Sequence, residues 1–283
     1  MLTRVIFNQK GGVGKSSIAV NLASISASKG FRTLLIDLDP QCNATQYLLG
    51  EQVVNDSTLQ NPIITPNIET FFAQTLQTAP STSAMLFAMP FGGISGSADT
   101  ALSECIHATP FDNLSIIPAS PVLGEILHQL ESKHKIYKLR EGLKRLSEQF
   151  DRVYIDTPPA FNFFTLSALI SANFVVVPFD CDIFSKRALQ VLLQNIIETR
   201  QDHNSELLIE GIIVNQYDPR ANLPREVVQS LVDEGYPVLN AKLSPSVIMK
   251  ESHHANTPLV YFDAKHKLTQ QFVAVFDELE ADN

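Results

Sequence analysis

The 283-residue sequence has no tryptophan, only three cysteines and no long apolar run. Cys42, Cys105 and Cys181 are odd in number and lack C-x-x-C spacing, which disfavours both a disulfide framework and a structural zinc site. The longest apolar stretches, such as 174–179, fall far short of the roughly 18 residues that span a bilayer. Because no apolar N-terminal signal is recognisable, we expect reduced thiols and a cytoplasmic location.

Positive charge is also in short supply. Lys and Arg number 21 against 30 Asp and Glu, and the net charge is -9. A chain with this balance repels nucleic acids and acidic membranes as a whole, so any binding to them must use a local cluster of cations. Hydrophobic residues make up 45% and charged residues 18% of the sequence, a composition typical of a folded globular protein.

Short, wholly apolar segments alternate with helical ones. The pattern predicts helices at 18–29, 121–150 and 187–200, and it predicts strands at 5–7, 34–36, 115–117, 153–155, 174–177 and 208–214. Apolar strands of this kind are buried on both faces of a sheet. We therefore expect an α/β fold with a doubly wound, mostly parallel sheet flanked by helices, and ligand loops at the carboxyl ends of the strands.

The domain organisation is less clear between 49 and 112. That region holds several prolines and the small-residue tract 91–97, which we interpret as an elaboration with a mobile loop. The last segment, 265–283, has apolar residues at helical spacing and predicts a packing helix. With no repeat and no clear linker, we expect a single domain over 1–283.

A glycine-rich loop follows the first predicted strand and precedes the first predicted helix. It has the sequence Lys10-Gly11-Gly12-Val13-Gly14-Lys15-Ser16. In this context the glycines let backbone N–H groups face phosphate oxygens, Lys15 adds a positive charge, and Ser16 offers a hydroxyl to Mg²⁺. The predicted nucleotide-binding residues are Gly11, Gly12, Val13, Gly14, Lys15, Ser16 and Ser17.

The loop departs from the ordinary phosphate-loop pattern, since Gln9 stands at the first glycine position and Lys10 follows it. It resembles the deviant Walker A loop of the ParA/MinD family of P-loop ATPases. The resemblance implies ATP and Mg²⁺ as ligands and a homodimer in the ATP state. It also implies that Lys10 acts catalytically from the partner subunit; the alternative is a solvated loop lysine.

Two further segments resemble motifs of this family. Residues 34–41 place Asp37 and Asp39 after an apolar strand, and residues 153–159 place Asp156 after another. The resemblance implies that Asp39 orients the attacking water, and that Asp37 and Asp156, with Ser16, support the metal. Cys42 stands where the family usually has glycine. A strand-to-turn capping role is the alternative, more readily at Asp37 than at Asp39.

The resemblance covers residues 1 to about 48 and 113 to about 275. In its last part, 212–220, Asn215 corresponds to a residue that binds the adenine edge, with a strand-end turn residue as the alternative. The acidic C-terminal segment disfavours a MinD-like membrane helix. The cysteine spacing disfavours the iron–sulfur branch of the family.

The ParA-like branch remains, and its resemblance implies partition of plasmid or chromosomal DNA. We then expect nonspecific binding to DNA, nucleoid association, and an adaptor or centromere-binding protein that stimulates hydrolysis. The candidate DNA contacts are Arg220, Arg225, Lys250, Lys265 and Lys267. The densest basic run, 133–145, can also meet DNA or an acidic partner, although a solvated helix face is the default. Positioning of a protein cargo through an adaptor is the alternative function.

Overall fold

The computed structural model describes residues 1–50, 66–77, 101–132, 135–181 and 185–281. Within these ranges seven strands form one sheet in the order β3-β4-β2-β5-β1-β6-β7. The strands are β1 (Leu2–Ile6), β2 (Thr33–Asp37), β3 (His107–Ala108), β4 (Leu114–Ile117), β5 (Arg152–Asp156), β6 (Phe174–Asp180) and β7 (Leu208–Asn215). All pairs are parallel except that of the short edge strand β3 with β4. The predicted doubly wound, mostly parallel fold is confirmed.

Helices cover both faces of this sheet. They are α1 (Lys15–Ser28), α2 (Asn43–Leu49), α3 (Ile68–Gln77), α4 (Leu123–Ser132), α5 (Lys138–Arg145), α6 (Phe163–Ser171), α7 (Ser185–Asp202), α8 (Asn222–Asp233), α9 (Ile248–His254), α10 (Leu259–Phe262) and α11 (Lys267–Ala281). Strand alternation divides the core between the faces. Leu34 and Ile36 belong to the core cluster that includes residues of α3 to α8, whereas Leu35 belongs to the cluster that includes residues of α1, α2 and α9 to α11.

The prediction of one continuous helix over 121–150 is wrong, because the structure has two helices, α4 and α5, in that stretch. A single helix of 30 residues would be about 45 Å long. The longest strand has eight residues and spans only about 27 Å. Breaking the segment lets Leu130 of α4 and Leu143 of α5 both reach the same core.

The structure tests the predictions for the C-terminal segment and for the region after residue 49 to different extents. Helix α11 buries Leu268, Phe272, Val275, Phe276 and Leu279, as its spacing predicts. From the elaboration at 49–112 the structure gives α3, a short 3-10 helix (Leu102–Cys105) and β3. The tract 91–97 lies outside the described residues, and the single domain stays a prediction. In the described part of the chain, no helix is long and apolar enough to cross a bilayer.

A buried ion cluster joins the amino end of the sheet to α11. Arg4 of β1 is fully buried, and its guanidinium forms ion pairs with Glu210 of β7 at 2.7 Å and Glu280 of α11 at 2.6 Å. Arg152 of β5 pairs with the same Glu280 at 2.6 Å. A guanidinium presents five donors in a fixed fork, so one side chain can satisfy two carboxylates here.

Replacing Arg4 with alanine leaves Glu210 and Glu280 without their shared partner in a desolvated site. Breaking such a buried pair costs about 3–5 kcal/mol, so the Arg4→Ala protein should lose about that much free energy of unfolding. Urea unfolding followed by circular dichroism measures the loss. Arg32→Ala is the control, because Arg32 pairs with Asp151 at the surface. A loss no larger than that of the control would contradict a structural role for the cluster.

Candidate nucleotide site

The glycine-rich loop turns sharply before α1. Gly12 and Gly14 have φ angles of 76° and 87°, in the left-handed region that favours glycine. At Gly14 a Cβ atom would also lie only 2.6 Å from Nδ2 of Asn215. Helix α1 begins at Lys15 with no side-chain cap. Its first N–H groups are therefore available to an anion, as a phosphate loop requires.

Lys15 lies in the mouth of this loop and is 7% exposed. Its Nζ donates to the carbonyl oxygen of Lys10 at 3.1 Å. Burial lowers the pKa of Lys15, while Asp156 and Asp39 act in the opposite direction. The ammonium therefore lies within the electrostatic reach of both carboxylates and folds back on its own loop. A phosphate group in the loop would offer it a stronger, charged acceptor.

Asp156 ends β5 and is completely buried. Neither of its carboxylate oxygens has a hydrogen bond of ordinary geometry within the described residues. Burial raises its pKa well above the usual value, and Asp37 raises it further, whereas the nearby Ser16 hydroxyl lowers it. A buried carboxylate without such bonds is costly. Beside a serine hydroxyl and a phosphate loop, its chemistry fits a Mg²⁺ ion with its bound waters.

Asp37 is Asp156's neighbour on the adjacent strand and is also fully buried. Its Oδ1 accepts from the Asp39 backbone N–H at 3.0 Å, and its Oδ2 accepts from the backbone N–H and hydroxyl of Thr45 at 2.9 and 2.7 Å. Burial raises its pKa to about 6, against these hydrogen bonds. Asp37 thereby fixes the first turn of α2, and its predicted support of the metal would act through that arrangement.

Asp39 follows the strand and lines a cavity with the phosphate loop. It is 5% exposed, and its Oδ1 accepts from the backbone N–H of Gln41 at 3.0 Å. Cys42, next in the turn, has a φ of 57°. A left-handed residue there explains why a glycine suits this position, and here the cysteine side chain is instead buried in the core.

Lys10 points toward its own subunit. Its Nζ lies 3.2 Å from the Oδ2 of Asp180 at the end of β6, and both side chains are about one-third exposed. Its backbone N–H donates to Asn8 Oδ1 at 2.9 Å. An ion pair this exposed is weak. This ion pair therefore contributes little to holding the Lys10 side chain in its position.

The phosphate loop opens on a cavity of about 690 Å³. Besides the loop and Asp39, its wall contains Gln41 and Pro159, which lie in the motif segments 34–41 and 153–159. It also contains residues to which the sequence analysis gave no role: Asn43, Gln46, Tyr47, His253, His254 and Asn256. Asn43, Gln46 and Tyr47 follow the segment 34–41 directly, so their nearness to it was an available signal. The residues of α9 carried no such signal, because they lie more than 200 positions from the loop.

A second cavity, of about 520 Å³, lies on the other side of the loop. Asn215 lines it, as do Gln216, Lys250 and the turn before α9. The Asn215 Nδ2 donates to the carbonyl oxygen of Val13 at 2.9 Å, and its Oδ1 accepts from the backbone N–H of Gln216. The residue predicted to bind adenine thus lies at the loop, with its amide bound to the loop itself.

Comparison with known proteins agrees with this geometry. Residues 1–209 match the family model described as an AAA domain. The chain is 30% identical over 278 residues to the chromosome partitioning protein ParA of Myxococcus xanthus, covering 97% of this chain and 86% of that protein. The chain belongs to the ParA/MinD family of P-loop ATPases.

Solved structures share the fold of this ParA/MinD-type chain at lower identity. A complex of a Cyanothece McdA variant with ATP has a TM-score of 0.77 at 20% identity, covering 99% of this chain and 96% of that one. A cobyrinic acid a,c-diamide synthase from Mycobacterium smegmatis, with a bound ATP analogue and magnesium, has a TM-score of 0.71 at 24% identity. The match covers 95% of this chain and 98% of the synthase.

The candidate DNA contacts of this ATPase are all exposed. Arg220 pairs with its neighbour Asp218 at 3.0 Å. Lys267, at the start of α11, lies close enough to Asp218 to lower the pKa of that carboxyl, after the larger effect of Arg220. Arg225 lies on α8, Lys250 on α9, and Lys265 just before α11. The structure therefore brings Lys267 near Arg220, with an acidic residue between them.

The Asp156→Asn protein should be more stable than the wild type when nucleotide and Mg²⁺ are absent. Burial raises the pKa of Asp156, so the ionised carboxylate lowers the stability of the folded state at neutral pH. We expect a gain of about 1–3 kcal/mol in the free energy of unfolding at pH 7.5, measured with urea. The gain should disappear below about pH 4, where the carboxyl is protonated in both states.

Asp202→Asn, on the exposed end of α7, serves as the control for removal of a surface charge. If Asp156→Asn is instead less stable than the wild type, Lys15 already compensates the carboxylate, and the orphaned charge is not the feature that defines the site.

Proposed function

We propose that this chain is an ATP hydrolase whose ATP-bound form is a sandwich dimer that binds DNA nonspecifically, and that hydrolysis ends this state. Its biological role would be partition of plasmid or chromosomal DNA. The observation that carries the proposal is the buried Asp156 carboxylate, without a hydrogen bond of ordinary geometry, beside Ser16 and Lys15 at the start of α1. Such an arrangement fits a metal-bound nucleoside triphosphate.

ATP and Mg²⁺ are the proposed ligands. The N–H groups at the start of α1 and the Lys15 ammonium would bind the phosphates, while Ser16 and Asp156 would hold the metal or its bound water. Mg²⁺ held there would supply positive charge to neutralise the negative charge that develops during phosphoryl transfer. Support comes from the two related structures, whose titles name ATP in one and an ATP analogue with magnesium in the other.

Asp39 is the proposed water-positioning residue. It lines the cavity in front of the loop with one carboxylate oxygen bound to Gln41, and the rest of the carboxylate can accept from an attacking water. Asp37 would keep this turn in place through Thr45. The two aspartates thus divide the work, because Asp37 holds the turn and Asp39 faces the reacting group.

Lys10 would complete the site of the partner subunit. Its pairing with Asp180 is exposed and weak, so a partner's phosphate can replace that carboxylate. Charge balance favours the exchange, because a triphosphate carries more negative charge than one aspartate. The dimer would therefore depend on nucleotide in both subunits, and loss of the γ-phosphate would dissolve it.

Three alanine variants separate the steps of this cycle. Lys15→Ala should abolish ATP binding, Lys10→Ala should bind ATP without dimerising, and Asp39→Ala should accumulate as the ATP dimer because hydrolysis stops. Calorimetry measures binding, and light scattering with and without ATP measures the mass. Lys29→Ala, which removes an exposed lysine paired with Asp277, is the control and should behave as wild type. A Lys10→Ala protein that still dimerises with ATP would overturn the cross-subunit role.

DNA partition is the proposed use of this dimer. It is supported by the M. xanthus relative, a chromosome partitioning protein that matches nearly the whole chain. Arg220, Arg225, Lys250, Lys265 and Lys267 are the proposed phosphate contacts. An adaptor or centromere-binding protein would stimulate hydrolysis, and the ATPase would reside in the cytoplasm, associated with the nucleoid and not with the membrane.

One observation favours a second role, the positioning of a protein cargo through an adaptor. The net charge is -9, and Arg220, one of the exposed candidate cations, is already paired with Asp218. A DNA surface must gather cations from both subunits to overcome this balance. A protein adaptor has no such requirement.

Salt dependence distinguishes the two roles. Asp39→Ala protein with ATP should bind a random-sequence duplex, and the slope of log affinity against log salt should fall by about 1 for each phosphate contact removed. We expect this change for Arg225→Ala and Lys265→Ala, measured by fluorescence anisotropy. Lys144→Ala in the basic helix α5 is the matched control. An ATP dimer that ignores DNA would favour the cargo role, and weakening by Lys144→Ala alone would place the DNA on α5.

A further inference from the structure

The two cavities meet at Ser17. Gly12, Gly14 and Ser17 line both of them. One cavity contains Asp39, the proposed water-positioning residue, and the other contains Asn215, the residue predicted to bind adenine. In a nucleotide that occupies both cavities, the segment between the base and the terminal phosphate must therefore lie beside Ser17. Of the three shared residues, Ser17 alone has a polar side chain.

The Ser17 hydroxyl contacts a residue from the far end of the chain. Its Oγ lies 3.1 Å from Nε2 of His253, near the end of α9. This contact ties the first turn of α1 to a helix more than 200 residues away. The histidine lines the cavity that contains Asp39, so its ring stands at the boundary where the two cavities join.

His253 itself is exposed, and its ring is positioned by packing against a buried tyrosine. The ring packs on Tyr47 of α2, with centroids 4.1 Å apart. The Tyr47 hydroxyl contacts the hydroxyl of buried Ser252 and accepts from Asn21 Nδ2 of α1 at 3.3 Å. Asn21 in turn accepts from the backbone N–H of Leu259 at 2.9 Å. These contacts tie α9, which carries His253, to α1, α2 and α10.

We propose that His253 is a positioning residue for the nucleotide, which donates from Nε2–H to Ser17 Oγ and so directs the serine hydroxyl proton to a phosphate oxygen. Phosphate oxygens are acceptors, so Ser17 must use its own proton to bind one. Its Oγ then has a free lone pair, and Nε2–H is the donor within reach. The opposite arrangement, with Ser17 donating to the imidazole, would turn serine lone pairs toward the anion.

This inference rests on the proposed nucleotide binding, and it predicts which property of His253 matters. His253→Phe keeps an aromatic ring against Tyr47 but removes the donor. His253→Gln removes the ring but places an amide donor near the position of Nε2. Packing and hydrogen bonding are thus separated by two substitutions at one position. ADP with Mg²⁺, titrated by calorimetry, is the probe, because it binds without turnover.

We expect His253→Phe to weaken ADP binding by about 3- to 10-fold, as loss of one hydrogen bond does. Ser17→Ala should weaken it by a similar factor, and His253→Gln should stay close to the wild type. The double variant Ser17→Ala/His253→Phe should bind no more weakly than Ser17→Ala alone, because both changes remove the same interaction. Thermal unfolding of every variant checks that the fold is retained.

Other results overturn the proposal. If His253→Gln is weak and His253→Phe is normal, the ring acts by packing. If the two single effects multiply in the double variant, His253 does not act through Ser17. If Ser17→Ala binds as wild type, Ser17 does not contact the phosphates. In all three cases the wild type still binds ADP; failure of the wild type to bind ADP or ATP would instead defeat the proposed function.

Discussion

Two buried carboxylates on adjacent parallel strands impose the constraint around which this site is arranged. Asp37 and Asp156 end β2 and β5 at the same register, and both are fully removed from water. Burial raises the pKa of both carboxyls, the charge of Asp37 raises that of Asp156 further, and the charge of Asp39 raises that of Asp37. Asp37 is compensated by three hydrogen bonds from the following turn and α2. Among the described residues Asp156 has no such set of hydrogen bonds, and the nearby Ser16 hydroxyl and the Lys15 ammonium oppose the rise in its pKa.

This difference in hydrogen bonding between Asp37 and Asp156 explains why the two residues suit different tasks. A carboxylate that is already saturated orders the chain around it, and Asp37 orders the turn that carries Asp39. A carboxylate that lacks such partners is destabilising alone and becomes favourable when a cation arrives. The ligand-free protein is therefore less stable because of this carboxylate, and binding of a cation removes that loss of stability. Such a compromise between stability and function is common at binding sites.

The sequence was informative where the chemistry is local. The phosphate loop could be predicted because its glycines, Lys15 and Ser16 are consecutive, and the left-handed angles at Gly12 and Gly14 follow from the same run. The mostly parallel sheet could be predicted because its strands are short and wholly apolar. The break between α4 and α5 was missed because helical periodicity does not report the length of the sheet beneath it. The Lys10–Asp180 pair was missed because it depends on β6 lying beside β1 in the sheet. The His253–Ser17 contact was missed because it depends on the packing of α9 near α1, far apart in the sequence.

Helix α9 shows how much of such a site lies outside its motifs. On one side it presents Met249 and Lys250 to the cavity that contains Asn215, and on the other it presents His253 and His254 to the cavity that contains Asp39. Lys250 is also a proposed DNA contact, three residues before His253. One seven-residue helix therefore carries both a proposed nucleotide-positioning residue and a proposed DNA contact. The hydrogen bonds among Tyr47, Ser252 and Asn21 tie this helix to α1 and α2.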